Sequence, residues 1–454
     1  MIRSVLQRNG VLSQGGGFRS RLIRGGIGSL AVQVTNVGLG FVLAMTLART
    51  LGADGYGVYA FAMAIVSILA IPAQVGVPQV VLRETAKAAS NEDWSLMRGV
   101  WSWGTRAILL FSAGVLVLGF AVLYGIQGPP LSGQWGTLAI ALLLVPLVAL
   151  GSLRGFTLRG LGHVVLGQLP EAVIRPGGLF LAVAVVALLA PSGTLTPSLA
   201  MALNVGVVAM AFAIGARILW RARPAGLRAR PSRTTHSYSW WCAAVPLALT
   251  GGLQLINSQA DIVILGMFRP SEEVGIYRAT VQGAGLVGFG LMAVNQVLAP
   301  NFSRLYASGE IQGLQRLLTS AVAIISALAA IPALVFVVFA EEILGIVFGQ
   351  SFYAGGPALT LLALGQLANA LMGPVGMLLD MTGHERSTVL GVGIAAAMNV
   401  VLNITLIPAF GMEGAAFSTA VTFLLWNTIL AFIVTRKIGV RADIFVLVTR
   451  RRYQ

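Results

Sequence analysis

Four residues in the second half of the chain carry oxygen atoms that could together bind a cation. They are Asn257, Asp261, Asn403 and Thr419. Asn257 precedes Asp261 by four residues, so the two side chains share a face if the segment is helical. One carboxylate combined with neutral oxygens suits a hard monovalent ion such as Na⁺, because hard cations prefer oxygen ligands. The alternative is structural, with Asp261 in an ion pair to Arg278 or Arg269.

A second pair of residues, Glu171 and Arg175, could bind an anionic phosphate group. They are four residues apart and are framed by Pro170 and Pro176. Arg175 falls about 17 Å into an apolar run, where a charged side chain is costly and is a functional hypothesis by default. A guanidinium fork matches the oxygens of a pyrophosphate. We expect Glu171 to pair with Arg175 until an anion displaces it, and the alternative is a purely structural pair in a proline-disturbed helix.

The composition is that of a membrane protein. Of 454 residues, 57% are hydrophobic and only 10% are charged, and the mean hydropathy is +0.85. Soluble domains carry roughly 25% charged residues. The net charge of +15 is concentrated in a few loops, so we do not expect nucleic-acid binding. The single cysteine, Cys242, excludes an internal disulfide, and no Cys or His spacing suggests a metal site.

Apolar runs of about twenty residues are long enough to cross a membrane as helices. Such runs fall at 26–48, 57–77, 103–123, 136–153, 164–190, 198–219, 243–266, 276–298, 317–339, 357–379, 388–408 and 414–434. The sequence therefore predicts an all-α, polytopic bundle of about twelve transmembrane helices.

Lys and Arg indicate the orientation, because translocated loops contain few of them. In a twelve-span arrangement, 26 of the 30 Lys and Arg residues fall on the side that holds both termini, which we expect to be cytoplasmic. The exceptions are Arg49, Arg269 and Arg278 on the opposite side and Arg175 within a span. Arg49 and Arg278 stand at corresponding turns on the side where Arg is scarce. They are candidates, with Arg175, for binding the same anionic group.

The chain contains two copies of one design. Gly57-Val58-Tyr59 lies 218 residues before Gly275-Ile276-Tyr277, and Gly162-His163 lies 221 residues before Gly383-His384. Because each copy has six spans, both enter the membrane in the same sense, as parallel repeats with a central cleft between them.

The repeat divides the chain into three segments. Residues 1–222 form an N-terminal lobe with helices 1–6, and residues 238–454 form a C-terminal lobe with helices 7–12 and a basic cytoplasmic tail. Residues 223–237 are basic, rich in proline and poor in apolar residues, which is typical of a cytoplasmic linker.

Motifs along nearly the whole chain, from about residue 20 to residue 437, carry a family resemblance. They are LARTLGADGYGVYAF, PEAVIRPG, INSQADIVILGMFRPSEEVGIYRA, APNFSRLYASGE, ILGIVFGQSF and PAFGMEGAAFSTA. In order and spacing the chain resembles the Wzx-type polysaccharide-export flippases of the multidrug/oligosaccharidyl-lipid/polysaccharide exporter superfamily.

The resemblance implies alternating access in a two-lobe bundle of the bacterial inner membrane. The implied activity moves a polyprenyl-pyrophosphate-linked oligosaccharide from the cytoplasmic to the periplasmic leaflet, for O-antigen, capsule or exopolysaccharide synthesis. It also implies a sodium site in the second lobe, as in the related lipid II flippases, and a cavity role for Arg278. We expect no cofactor, Na⁺ or H⁺ as the coupling ion, contact with membrane lipids, and a polysaccharide polymerase as a partner.

Two alternatives are weaker. A drug or metabolite antiporter of the same superfamily would want an acidic residue in helix 1, which offers Gln33, Thr35 and Asn36 instead. A polytopic envelope ligase or acyltransferase would place catalytic polar residues in a large external loop, whereas the loops here are short. With no catalytic triad and no Walker-type GxxxxGK[ST] motif in the sequence, we expect a transporter rather than an enzyme.

Overall fold

The structure is a computed structural model that describes residues 15–128, 133–189, 191, 193–228 and 237–441. Most of the expected linker and of the basic tail lie outside the described residues. Throughout the described ranges the regular structure is helical, which confirms the all-α prediction.

The first half contains nine α-helices and one π-helical turn within the described residues. In chain order these are α1 (Gly15–Gln74), α2 (Val77–Ser90), α3 (Trp94–Gln127), α4 (Gly133–Leu142), α5 (Leu144–Gly160), α6 (Val164–Leu169), the π-turn (Pro170–Ile174), α7 (Arg175–Leu189), α8 (Pro197–Ala222) and α9 (Ala225–Arg228).

The second half repeats the pattern of long helices. In chain order these are α10 (Ser237–Phe268), α11 (Ser271–Ala307), α12 (Ile311–Val338), α13 (Ala340–Phe348), a 3-10 turn (Gln350–Gly355), α14 (Gly356–Met372), α15 (Val375–Met381) and α16 (Glu385–Lys437).

Two helices, α1 and α16, each contain two of the predicted spans. Gly52 divides α1 with a φ of 71°, and Gly411 divides α16 with a φ of 56°. Glycine adopts such angles readily because it has no Cβ. In the described residues, eight helices are long and apolar enough to cross a membrane, and two bent pairs pass the same test. Division of α1 and α16 at their glycines then accounts for the twelve predicted spans.

Helices α2 and α13 are short and lie outside the predicted spans. Helix α2 begins with Pro78 in its first turn and buries Val77, Val80 and Val81 against α3 and α5. Proline is favoured there because the first N–H groups of a helix have no intrahelical acceptor. Helix α13 follows α12 and packs beside the 3-10 turn. Both helices have one apolar face, so burial rather than length explains why they form.

Helices of each half pack mainly against one another, and α1 joins the halves by packing against α10 and α11. At the turn that begins the second span of each half, Gly57 and Gly275 bring the two backbones into contact. The chain therefore has an interface between its halves, in which cavities lined by both can form.

Candidate functional site

A cavity of about 430 Å³, here called the central cavity, lies between the two halves. Helices α1, α7 and α8 and the π-turn line it from the first half, and α11 lines it from the second. Its polar lining consists of Asn36, Tyr56, Tyr59, Glu171, Arg175, Asn204, Arg278 and Gln282. The structure thus brings together three of the four residues predicted to bind an anionic group.

Two guanidinium groups face this cavity and have no acidic partner in the part of the chain that the structure describes. Arg278 lies beside the Tyr56 hydroxyl, and both Arg175 and Arg278 lie near Tyr59. The ion pairs found among the described residues include neither arginine. Tyr59 is itself fixed, because its hydroxyl accepts a hydrogen bond of 3.0 Å from the buried Nδ2 of Asn204. The cavity therefore presents positive charge that is held in place by aromatic and amide groups.

The expected pairing of Glu171 with Arg175 is wrong. Oε1 of Glu171 instead accepts a hydrogen bond from Nη2 of Arg154 at 3.3 Å. Arg154 is 4% exposed, and its Nη1 also donates to the carbonyl groups of Ala211 and Phe212, at 3.0 Å each. A buried cation is costly to leave unpaired, so the nearby carboxylate is bound to the most buried arginine. Arg175 is left available in the cavity.

Two glycines make room for this ion pair. A Cβ at Gly215 would overlap the guanidinium of Arg154, and a Cβ at Gly151 would overlap Oε1 of Glu171. The π-turn also contributes, since the N–H of Arg175 donates to the carbonyl of Pro170, five residues earlier. Single π-turns inside α-helices often occur at functional sites. Here the turn forms part of the cavity wall.

Arg49, the fourth candidate for the anionic group, is placed elsewhere. Its Nε donates to the carbonyl of Val347 at 2.9 Å, and its Nη2 donates to the carbonyl of Ile346. Both carbonyls belong to the last turn of α13, where a basic side chain is favourable. In this structure Arg49 joins the halves and does not line the central cavity.

A second cavity, of about 460 Å³, lies within the second half and is here called the cation cavity. Its lining comes from α10, α11, α14 and α16 and includes Asn257, Asp261 and Thr419. Three of the four predicted cation-binding residues therefore meet in one place. Gln254, Ser258 and Gln366 add further oxygen atoms to the lining.

Asp261 is buried, and its hydrogen bonds come from other groups than the sequence predicted. The hydroxyl of Tyr277 donates to its Oδ2 at 2.6 Å, and the N–H of Ile262 donates to its Oδ1 at 2.9 Å. Arg269 pairs instead with Glu273, at 2.8 Å. The structural alternative was right that Asp261 joins two helices, but wrong about the partner.

Unpaired oxygens in the cation cavity fit a hard cation. Oδ1 of Asn257 and Oγ1 of Thr419 are buried and make no hydrogen bond of normal geometry. Asn403 lies apart from the cavity lining: its Nδ2 donates to Oδ1 of Asn399 at 2.9 Å, and Asn399 donates to Thr422 at 3.3 Å. A cation here would take oxygens from Asn257, Asp261 and Thr419.

Sequence reasoning missed Tyr277 and Asn204 as parts of these sites. A signal existed for the tyrosines, because Tyr59 and Tyr277 end the repeated Gly-x-Tyr motif. Each is tied to a polar residue of its own half, Tyr59 to Asn204 and Tyr277 to Asp261. The repeat therefore places Tyr59 in the lining of the central cavity and Tyr277 behind Asp261, which lines the cation cavity.

Residues 22–306 match a protein family described as polysaccharide biosynthesis protein. The probable low-salt glycan biosynthesis flippase Agl15 of Haloferax volcanii is 27% identical over 414 residues, which cover 90% of this chain and 82% of the relative. The probable flippase AglR of the same organism is 26% identical over 420 residues, which cover 89% of this chain and 82% of the relative.

Solved structures share the fold. An inward-facing multidrug resistance MATE family transporter of the MOP superfamily aligns with a TM-score of 0.70 at 12% identity, covering 91% of this chain and 98% of that one. The lipid II flippase MurJ, in an inward closed conformation, aligns with a TM-score of 0.69 at 13% identity, covering 89% of this chain and 87% of that one.

The family match spans more than half of the chain, and the flippase relatives align along most of it. The chain therefore belongs to the polysaccharide biosynthesis protein family, and it has the multi-pass membrane fold of the transporters that it matches.

Proposed function

We propose that this protein moves a polyprenyl-pyrophosphate-linked oligosaccharide from the cytoplasmic to the periplasmic leaflet of the bacterial inner membrane. The product would serve the synthesis of a surface polysaccharide. One observation carries the proposal: Arg175 and Arg278 face the central cavity from opposite halves, and neither has a carboxylate partner among the described residues.

The two guanidinium groups would bind the pyrophosphate, which is the part of the cargo that is most costly to move through the membrane. A pyrophosphate keeps its negative charge whatever glycan is attached, and transfer of that charge into hydrocarbon is strongly unfavourable. Two fixed guanidinium forks replace water as hydrogen-bond donors to the phosphate oxygens. Because they bind the linker and not the sugar, one cavity can accept different oligosaccharides.

Alternating access requires that the halves separate at one end while they close at the other. The contact between Gly57 and Gly275, at the predicted periplasmic end, closes the cavity on that side in our proposal. A rigid-body rotation of one half against the other would break it and release the cargo outward.

Coupling to an ion gradient is assigned to the cation cavity. Asp261 supplies the charge, and the unpaired oxygens of Asn257 and Thr419 supply neutral ligands for Na⁺. Asp261 would serve equally as the acceptor if the coupling ion is H⁺. Tyr277 donates to Asp261 and begins the span that also carries Arg278, so occupancy of the cation cavity can bias the position of that arginine.

The drug-antiporter alternative fits this chain less well. The residue that the first span contributes to the polar lining is the neutral Asn36, and the free charges of the cavity are positive. Cationic drugs would be repelled by Arg175 and Arg278.

A genetic experiment tests the proposal. Deletion of the gene should abolish surface polysaccharide and cause lipid-linked oligosaccharide to accumulate in the membrane. The wild-type gene should restore the polysaccharide, and a double variant Arg175→Gln/Arg278→Gln, present at normal level, should not. A deletion strain with normal surface polysaccharide and no accumulated intermediate would refute the assignment.

A further inference from the structure

A third cavity, here called the flanking pocket, lies on the first half away from the central cavity. It has a volume of about 620 Å³ and is lined by α3, α5, α8 and the segment that follows α8. Four arginines line it, namely Arg98, Arg106, Arg154 and Arg223. The described lining includes neither Asp nor Glu. Four guanidinium groups around one pocket make it a site for an anion.

One of these arginines is built into the pocket wall. Arg154 is 4% exposed, and its guanidinium lies 5.8 Å from the ring centre of Phe212. Its Nε is buried and makes no hydrogen bond. The interior of the helix bundle thus holds a fixed guanidinium group whose Nε–H is available as a hydrogen-bond donor. Arginines on an ordinary cytoplasmic surface are mobile instead.

The rim of the pocket is also positioned by packing. The indole of Trp94 packs against Gly226, where a Cβ would overlap the ring. This contact holds α9 against α3, and α9 in turn places Leu227 at the pocket, next to Arg223. Arg106 and Arg223 line the pocket and are exposed.

The surroundings are those of a membrane boundary. Six of the eight tryptophans fall at the predicted cytoplasmic end of the chain's helices: Trp94, Trp101, Trp103, Trp220, Trp240 and Trp241. Tryptophan is enriched at the membrane–water interface. The lining of the pocket also contains the apolar side chains of Leu150, Leu153 and Leu219. A ligand that is anionic at one end and apolar at the other would match both parts.

We propose that the flanking pocket binds the phosphate group of an anionic membrane lipid from the cytoplasmic leaflet. The guanidinium groups bind the phosphate, and the leucines contact the start of the acyl chains. Basic pockets between transmembrane helices on the cytoplasmic side favour such headgroups. The site is separate from the transported cargo, because none of its lining residues lines the central cavity.

The bound lipid can nevertheless influence transport. Arg154 lines the flanking pocket, and Glu171, its ion-pair partner, lines the central cavity. The ion pair therefore forms part of the wall between the flanking pocket and the central cavity. A phosphate that attracts Arg154 loosens its hold on Glu171, and Glu171 is then free to approach Arg175 in the central cavity.

Native mass spectrometry of the purified full chain tests the proposal, with phosphatidylglycerol and phosphatidylcholine as the added lipids. The variant Arg106→Gln/Arg223→Gln removes two exposed guanidinium groups and leaves Arg154 in place, so the fold is retained. Arg304→Gln/Arg316→Gln, at exposed positions outside the pocket, removes the same charge and serves as the control. We expect phosphatidylglycerol to be retained selectively. Its affinity should fall about fivefold for each guanidinium removed from the pocket, and stay unchanged in the control.

Three results would overturn the proposal. They are equal retention of phosphatidylcholine, wild-type affinity for phosphatidylglycerol in the pocket variant, and full displacement of the lipid by millimolar inorganic phosphate. The last result would identify free phosphate as the ligand.

Discussion

Gly57 and Gly275 contact each other's helices in a symmetric way. A Cβ at Gly57 would overlap the carbonyl oxygen of Ser271, and a Cβ at Gly275 would overlap the carbonyl oxygen of Ala53. Each carbonyl belongs to the residue four positions before the opposite glycine. Asp54 accepts a hydrogen bond from the hydroxyl of Ser271 beside this contact. The two copies of the repeated motif thus form one interface, with an approach that only glycine permits.

Substitution of Gly57 should weaken this closure. The added methyl of Gly57→Ala forces the backbones apart, and overpacking of this kind costs about 1–3 kcal/mol. A cysteine at Leu47, a buried residue of the central cavity, reports the opening in a Cys242→Ser background. We expect Gly57→Ala to raise its rate of labelling by an impermeant thiol reagent added from outside.

The matched control is Gly38→Ala, in the same helix, because a Cβ there meets no atom within 4 Å. It should label at the wild-type rate. Equal rates in all three proteins would show that the glycine contact does not limit access.

The Arg154–Glu171 ion pair should stabilise the protein. Glu171→Gln leaves a buried guanidinium without its carboxylate, which costs about 1–3 kcal/mol. We expect a lower melting temperature for this variant in a thermal-shift measurement, and an unchanged one for Arg175→Gln. An equal fall in melting temperature for both variants would instead support a Glu171–Arg175 pair.

The cation cavity predicts ion dependence. Asp261→Asn keeps the volume of the side chain but deletes its charge. If Na⁺ binds there, the variant should lose sodium stimulation of transport in proteoliposomes while it remains folded. Glu310→Gln removes an exposed acidic charge outside the cavity and should keep the stimulation. Sodium-stimulated flux at the wild-type level in Asp261→Asn would show that Na⁺ does not bind at this site.

Topology is open to a direct chemical test. In the Cys242→Ser background, Thr194→Cys should react with an impermeant thiol reagent in intact cells, because the loop before α8 faces outside in our assignment. Ser308→Cys, after α11, should react only once the membrane is permeabilised. Both positions are exposed. Labelling of position 308 in intact cells would contradict the twelve-span, both-ends-inside arrangement.

The sequence predicted the spans well and the pairing of charges poorly. Apolar runs identify spans because the ability of a segment to cross the bilayer depends on the hydropathy of that segment. Glu171 was expected to pair with Arg175, yet it pairs with the buried Arg154. That burial depends on Gly151 and Gly215, which come from different helices and make room for the ion pair. Such packing is not visible in any single segment.

Other features depend on backbone geometry. Nothing in local composition distinguishes Gly52 and Gly411 from the many other glycines, although these two divide the long helices. The structural alternative gave Asp261 an arginine partner, because opposite charges attract over distance. The structure instead places the Tyr277 hydroxyl beside it, and a single short hydrogen bond decides the partner. Asn403 was predicted to bind the cation, but it lies outside the cavity lining and pairs along its own helix with Asn399.

The central claim is that Arg175 and Arg278 carry the pyrophosphate across the membrane. The direct measurement is the rate at which purified protein in proteoliposomes translocates a labelled polyprenyl-pyrophosphate-linked sugar. We expect Arg175→Lys to retain part of the wild-type rate, because the charge remains but the fork is lost. Arg175→Gln and Arg278→Gln should each lower the rate at least tenfold, about 1.4 kcal/mol or more of lost stabilisation, while Arg316→Gln should not. Wild-type rates in the double variant Arg175→Gln/Arg278→Gln would contradict the account.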